Sequence, residues 1–254
     1  MNYFVLLKMV PDTVEELEVS ADNKSLNTEF LRLKLNDPDE HALEQALLLK
    51  EKFGGAVTAV AFDAPEVDEV LFTALAKGAD KAVKLVGDFS NVRGLACAQI
   101  VASYLKTLPA DAVILIQSQA IDDLEGEIGA YLADLLNAPY IGVVTGVASE
   151  AGGLTVMKEF AGGMRGEFGV ALPAVLGIQA AEKPPRYVPV AKVRNVMKTA
   201  KIEMVDVTLP EATAVLAVEK MYKPEVAGRA EMIEGSPEEV AGKIVAILAE
   251  RGLV

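Results

Sequence analysis

The residues best equipped for chemistry sit together in one stretch, QSQAIDDLEGEIG at positions 117–129. It follows the apolar run DAVILI and leads into AYLADLL, the pattern of a turn from a strand into a helix. In an α/β protein such a turn binds phosphate, because free amides and the helix dipole converge there. Here the turn carries Asp122, Asp123, Glu125 and Glu127. Phosphate oxygens need donors, and ionised carboxylates only accept. A carboxylate within about 5 Å of a phosphate costs on the order of 1–3 kcal/mol at intermediate dielectric. Acid–base work by the Asp122–Asp123 pair is conceivable, but aspartate at a strand exit is first of all a turn former.

Other catalytic templates fail on residue type. The single histidine, His41, lies four residues from Gln45 within a helical pattern, so no histidine triad or multi-histidine metal site can form. It reads as a surface or interface residue. The single cysteine, Cys97, falls in the small-residue run LACAQIVASYL and reads as core. Neither G-x-x-x-x-G-K-[ST] nor a G-x-G-x-x-G after the first strand is present.

The elements that must position the 117–129 stretch alternate regularly. YFVLLKMV reads as a strand, and NDPDEHALEQALLLKEKFGG as a helix with Asp37 as N-cap, Pro38 in its first turn and Glu40 completing a capping box. AVTAVAF, KAVKLV, DAVILIQ and PYIGVVTGV continue as strands, separated by helices over APEVDEVLFTALAKGA, VRGLACAQIVASYLKTL and LEGEIGAYLADLLN. Such alternation predicts βαβ units and a parallel sheet. Beyond residue 150, GLTVMKEFAGGMRGEFGVALPAVLGI reads as short strands around Gly162-Gly163, an antiparallel addition. EKPPRYVPVAKVRNVMKTAKI is a proline-punctuated basic loop leading to a short helix, followed by an extended arm with no core of its own. SPEEVAGKIVAILAERG closes the chain as a helix with Ser236 as N-cap, Pro237 in the first turn and Glu239 completing a box. These boundaries predict an α/β unit over 1–183, and a loop, arm and terminal helix over 184–254 that lie on another subunit.

The bulk numbers agree with this. A chain of 254 residues with 52% hydrophobic content can bury a large core. A formal charge of −13 excludes nucleic acid as a main partner. No apolar run is long enough to cross a bilayer, and MNYFVLLKMVPD lacks the build of a signal peptide, so a cytoplasmic location is the expectation.

Several segments, weak singly, form a specific ordered set: Val10-Pro11-Asp12 after the first strand, NDPDEHALEQALLLKEKFGG, TALAKGADKAV, QAIDD, KEFAGG with LPAVLGI, PPRY and VMKTAKI. In this set the chain resembles the beta subunit of electron transfer flavoprotein over nearly its whole length. The resemblance implies a doubly wound parallel sheet of the adenine-nucleotide alpha-hydrolase-like kind, with a C-terminal arm and helix. It also implies electron carriage in a heterodimer. An alpha subunit would hold most of an FAD, this chain would wall one side of it, and electrons would pass from a dehydrogenase such as acyl-CoA dehydrogenase to a quinone reductase or similar acceptor. The family's beta subunit has its own nucleotide site, holding AMP in carriers and a second FAD in electron-bifurcating members. Its positions fall here on Met9, Asn36, Phe62, Asp122, Gly126, Glu127 and Ile128.

Those positions depart from the family pattern. A hydroxyl or thiol becomes Glu125, a glutamine becomes Glu127 and a small residue becomes Ile128, while Phe62 and Asp63 replace a small residue and glycine across the crevice. These substitutions argue against AMP or a second FAD in this chain, with Glu125 or Glu127 instead capping the next helix by its own charge. Thr13 and Pro38 stand where the family places aromatics near the flavin, and Lys158 and Ala161 replace the Arg and Asp of the pre-Gly-Gly motif. PPRY matches the recognition loop through which the family docks on its dehydrogenase. Arg186, Tyr187, Val188 and Val190 are then the contact candidates, with Lys192, Arg194 and Lys198 as a basic rim. A bifurcating subunit and a free-standing nucleotide-binding protein are the competing readings.

Overall fold

The computed structural model describes residues 1–89, 92–123, 126–150, 153–208, 210, 218–224, 228 and 230–254. The elements run β1 (Asn2–Leu7), β2 (Met9–Pro11), β3 (Leu33–Leu35), α1 (Asp37–Phe53), β4 (Ala56–Phe62), α2 (Val67–Lys77), β5 (Lys81–Val86), α3 (Gly94–Tyr104) and β6 (Ala112–Gln117). They continue as α4 (Ile128–Leu135), β7 (Tyr140–Glu150), β8 (Gly153–Glu159), β9 (Arg165–Val170), β10 (Ala174–Ile178), α5 (Val190–Thr199), β11 (Glu203–Asp206) and α6 (Pro237–Glu250).

Nine strands form one sheet in the order β11-β5-β4-β1-β6-β10-β7-β8-β9, parallel from β11 to β7 and antiparallel from β7 to β9. Alternate residues of β1 face opposite layers. Val5 and Leu7 pack with α1 and α2, and Leu6 packs with α3 and α4. Helices therefore cover both faces, which makes the sheet doubly wound as the alternation predicted. The chain leaves β1 toward β4 and β5, then returns past β1 to β6. The direction of winding reverses between β1 and β6, and a crevice opens at their carboxyl ends.

Three local expectations are corrected. The first strand breaks at Lys8, whose amide is taken by the Asp39 carboxylate at 2.9 Å, leaving β2 to pair with β3 in a separate ribbon. The α1 N-cap is Asn36 and no side chain caps it; Glu40 lies 3.8 Å from Lys77 instead. Ala174–Ile178, expected in the antiparallel addition, is the central parallel strand between β6 and β7. Its AVLGI run is buried throughout, as a strand covered on both faces requires. The antiparallel addition itself is β8 and β9. Cys97 is buried, as its surroundings in the sequence implied.

After α5 the chain adds β11 to the sheet edge beside β5. Beyond it, α6 contains no buried residue, and Ile244, Val245 and Ile247 are exposed. Its capping box forms as expected: Glu239 N–H donates to Ser236 Oγ at 3.3 Å, and Ser236 N–H to Glu239 Oε2 at 2.8 Å.

Candidate functional site

The crevice at the ends of β1 and β6 is organised by Lys8. This lysine interrupts an otherwise apolar strand run, and its ammonium lies 2.6 Å from Asp122 and 3.7 Å from Asp123. Asp123 also folds the turn on itself: its Oδ1 accepts from Gly126 N–H at 3.0 Å, and its own N–H donates to the Ala120 carbonyl at 3.2 Å. Gly126 is required there. Its φ is 63°, and a Cβ would lie 2.7 Å from the Ser118 carbonyl oxygen. Beneath the turn, Asn36 Oδ1 accepts from Ile121 N–H at 3.4 Å. Asp39 is wholly buried, and burial pushes its carboxyl up to about 8, against the opposing pull of the Lys8 amide. The Cys97 thiol is likewise pushed up by burial, to about 11, and is no nucleophile.

Of the sequence-predicted nucleotide positions, Asn36, Asp122 and Gly126 meet at this corner. Met9 begins β2, and Asn36 precedes α1 and bonds the turn at Ile121. Phe62 leaves β4 and packs on Phe89 with ring centroids 5.0 Å apart. Asp63 is 3.7 Å from Lys84, which pairs more closely with Asp68 at 2.9 Å. Glu127 occupies the N-cap of α4 without a side-chain capping bond. Its carboxylate bonds the Tyr131 hydroxyl and raises that phenol, so the capping role expected of it is not through a hydrogen bond. Ile128 is buried in the core and has only its backbone to offer a ligand. Glu125 lies outside the described residues. Lys8 thus faces two carboxylates, Asp122 and Asp123, and Glu127 at the start of α4 adds a third, a poor setting for phosphate.

Beside this corner, Val10, Thr13, Asn36, Pro38 and Ile121 line a recess of about 180 Å³. Asn36 is 2% exposed, and its side chain supports the Asp39 carboxylate, opposing part of the effect of burial there.

The predicted recognition loop is anchored by α1. His41 Nδ1 accepts from Ala181 N–H at 3.2 Å and Gln45 Oε1 from Glu182 N–H at 3.0 Å. Glu44, 4% exposed, accepts from the Arg186 guanidinium at 2.8 Å, and Arg186 also reaches Glu51 at 2.5 Å. His41, expected at a surface or interface, is half-buried and anchors this loop. The Arg186 side chain is spent inside the chain. Tyr187 at 83% and Val190 at 61% exposure stand free, Val188 is half-buried, and Lys192, Arg194 and Lys198 are exposed along α5.

The family model for the electron transfer flavoprotein domain matches residues 26–212. The chain is 31% identical to the electron transfer flavoprotein subunit beta of Methylophilus methylotrophus, with 98% of each chain covered. It is 29% identical to that of Bacillus subtilis over the full length of both, and 31% identical to that of Clostridium acetobutylicum over 98% of both.

The chain belongs to the electron transfer flavoprotein beta subunit family.

Within this family frame, Lys8, Asp39 and Glu44 were not singled out from sequence. Only Lys8 had a visible signal, a charge inside an apolar strand run. The Glu44–Arg186 pairing spans 142 residues and has no local trace. Among the described residues no cluster of metal-ligating side chains occurs, and no helix is long and apolar enough to cross a membrane.

Proposed function

We propose that this electron transfer flavoprotein beta chain is the electron-transfer subunit of a heterodimer, enclosing one side of an FAD held mainly by an alpha subunit. The near full-length likeness to beta subunits carries this reading. The recess at Asn36 and Pro38 is the flavin-facing wall. The arm and α6 lie on the alpha subunit. The segment from Tyr187 through α5 docks on a flavin dehydrogenase such as acyl-CoA dehydrogenase, and a quinone reductase or similar acceptor takes the electrons onward in the cytoplasm.

The chain's own crevice holds neither AMP nor a second FAD, which separates this reading from an electron-bifurcating one. Lys8 pairs with Asp122, Phe62 stands in a ring pair with Phe89 where the family has a small residue, and Glu127 adds a further negative charge. The test is to co-express both subunits, denature the purified complex and chromatograph the released nucleotides. One FAD per heterodimer and no AMP is the expected result. Stoichiometric AMP overturns the empty crevice, and a second FAD favours bifurcation.

A further inference from the structure

After β10 the chain passes from the sheet to α1. Gln179 and Ala180 still donate to the Val144 carbonyl of β7, at 2.8 and 3.3 Å. From Ala181 onward the backbone is held by side chains of α1. Ala181 N–H donates to His41 Nδ1 at 3.2 Å, Glu182 N–H to Gln45 Oε1 at 3.0 Å and Arg186 N–H to Glu44 Oε2 at 3.0 Å. His41, Glu44 and Gln45 stand within about one turn and share one face of the helix. Pro184 and Pro185 have no N–H to give, and their φ is fixed. Residues 181–186 thus form a short, stiff strap, and Tyr187 and α5 follow it directly.

These attachments differ in what a proton does to them. Gln45 has none to gain. Glu44 is 4% exposed and held by the Arg186 guanidinium at 2.8 Å. His41 is half-buried, so water reaches part of its ring. Its Nδ1 accepts only in the neutral imidazole, with the ring proton on Nε2, whereas an imidazolium donates at both nitrogens. An incoming proton and the Ala181 amide therefore compete for the same lone pair. The surrounding charges are already engaged. On α1, Asp37, Glu40 and Glu44 pair with Lys34, Lys77 and Arg186. On the strap, the Glu182 carboxylate accepts from Val147 N–H at 3.3 Å, and Lys183 follows it. The strands β7 and β10 bring no charge over Tyr140–Val147 and Ala174–Ile178, and β8 brings Lys158 in register with Val144. Among the described residues no carboxylate pairs with the His41 ring, and the one bond the ring makes is the one a proton breaks.

We propose that His41 is a positioning residue for the docking segment: its neutral imidazole latches Ala181 and Glu182 to α1, and its protonation releases them. The closed strap requires the neutral ring, so acid favours the open one. The latch is closed in mildly alkaline solution and loosens as pH falls through the range, roughly pH 8 to pH 5, in which imidazoles change charge. Once released, the strap is held only at its far end, by Glu44 on Arg186. A partner that docks on Tyr187 and α5 must then order the strap again, at a cost in affinity. This consequence for electron transfer rests on the docking reading above; the latch itself does not.

The experiment follows amide hydrogen exchange in the intact heterodimer, without dehydrogenase, from pH 8.0 to pH 5.5. Peptides covering the strap are read by mass spectrometry, and each rate is divided by the intrinsic rate of an unstructured chain at that pH. Protection of Ala181 and Glu182 should fall about fivefold or more between the two ends, the scale of one lost hydrogen bond. Peptides from β6 and β10 should keep theirs. His41→Asn sets an amide oxygen where Nδ1 stood and cannot titrate, so its strap should stay protected at every pH. His41→Phe removes the acceptor and should leave the strap poorly protected throughout. FAD absorbance monitors assembly of both variants. Constant protection in the unaltered heterodimer, or an equal fall in His41→Asn, would overturn the latch. With no dehydrogenase present, that outcome is separate from the docking reading, which Val190→Ala tests through the dehydrogenase.

Discussion

Asp39 is the side chain whose protonation the fold controls most strongly. It stands at the third position of α1, where a helix N-terminus favours a negative charge, yet it is wholly buried. Burial prevails and holds the proton to about pH 8. An unfolded aspartate loses its proton near pH 4. Between these values the folded state binds more protons, so this group makes stability fall as pH rises, by on the order of 1 kcal/mol per unit. Asp39→Asn keeps the neutral shape and removes the proton. The melting temperature of the variant, relative to that of the unaltered protein, should therefore rise steadily from pH 5 to pH 8. A constant difference across that range would show that Asp39 is ionised in the folded chain. The acidic character of the turn at 117–129 was legible in the sequence, because it depends on residue type alone. Its neutralisation by Lys8 was not, since Lys8 and Asp122 are 114 residues apart and meet only once β1 and β6 are neighbours.

The two proline-bearing helix starts differ in outcome for a physical reason. Ser236-Pro237-Glu238-Glu239 is exposed, so its side chains are free to complete the box at α6. At α1 the cap position falls to Asn36, which is buried and gives its oxygen to the turn after β6 instead. Local signals therefore located both helices but not the use of every end group. Strand alternation was readable through β7, because each βα unit carries its own apolar run and turn. The place of β10 was not, because its run of apolar residues states only that it is buried, and the order β6-β10-β7 is set by packing. An exposed helix with Val240, Ile244, Ile247 and Leu248 on one stripe calls for a partner surface. The double substitution Ile244→Glu and Ile247→Glu should weaken association with the alpha subunit at least tenfold in calorimetry or analytical ultracentrifugation. The circular dichroism of the beta chain should be unaltered. Undiminished association would place α6 outside the interface.

At the scale of the whole molecule, charge and shape divide the labour. The chain is strongly acidic, yet its docking candidate is a basic helix, α5, preceded by the free side chain of Tyr187 and beginning with the exposed Val190. Rim charges steer encounter, and a central apolar residue sets the lifetime of the complex. Val190→Ala should lower affinity for the partner dehydrogenase about threefold to tenfold while FAD content stays at that of the unaltered heterodimer. Electron transfer followed by flavin bleaching under anaerobic conditions, as a function of dehydrogenase concentration, reads this out. An unchanged concentration dependence would remove Val190 from the contact.

The helix α1 joins these regions in a way that reaches past binding. Its first residues border the recess at Asn36, and Glu44, about 10 Å further along at 1.5 Å per residue, grips Arg186 immediately before Tyr187. One rigid rod thus sets the spacing between the recess and the foot of the proposed docking segment. That gauge length is fixed by the helix itself. A protein that hands over electrons across a gap gains from such a ruler, because the separation on its own side is not left to the mobility of a loop.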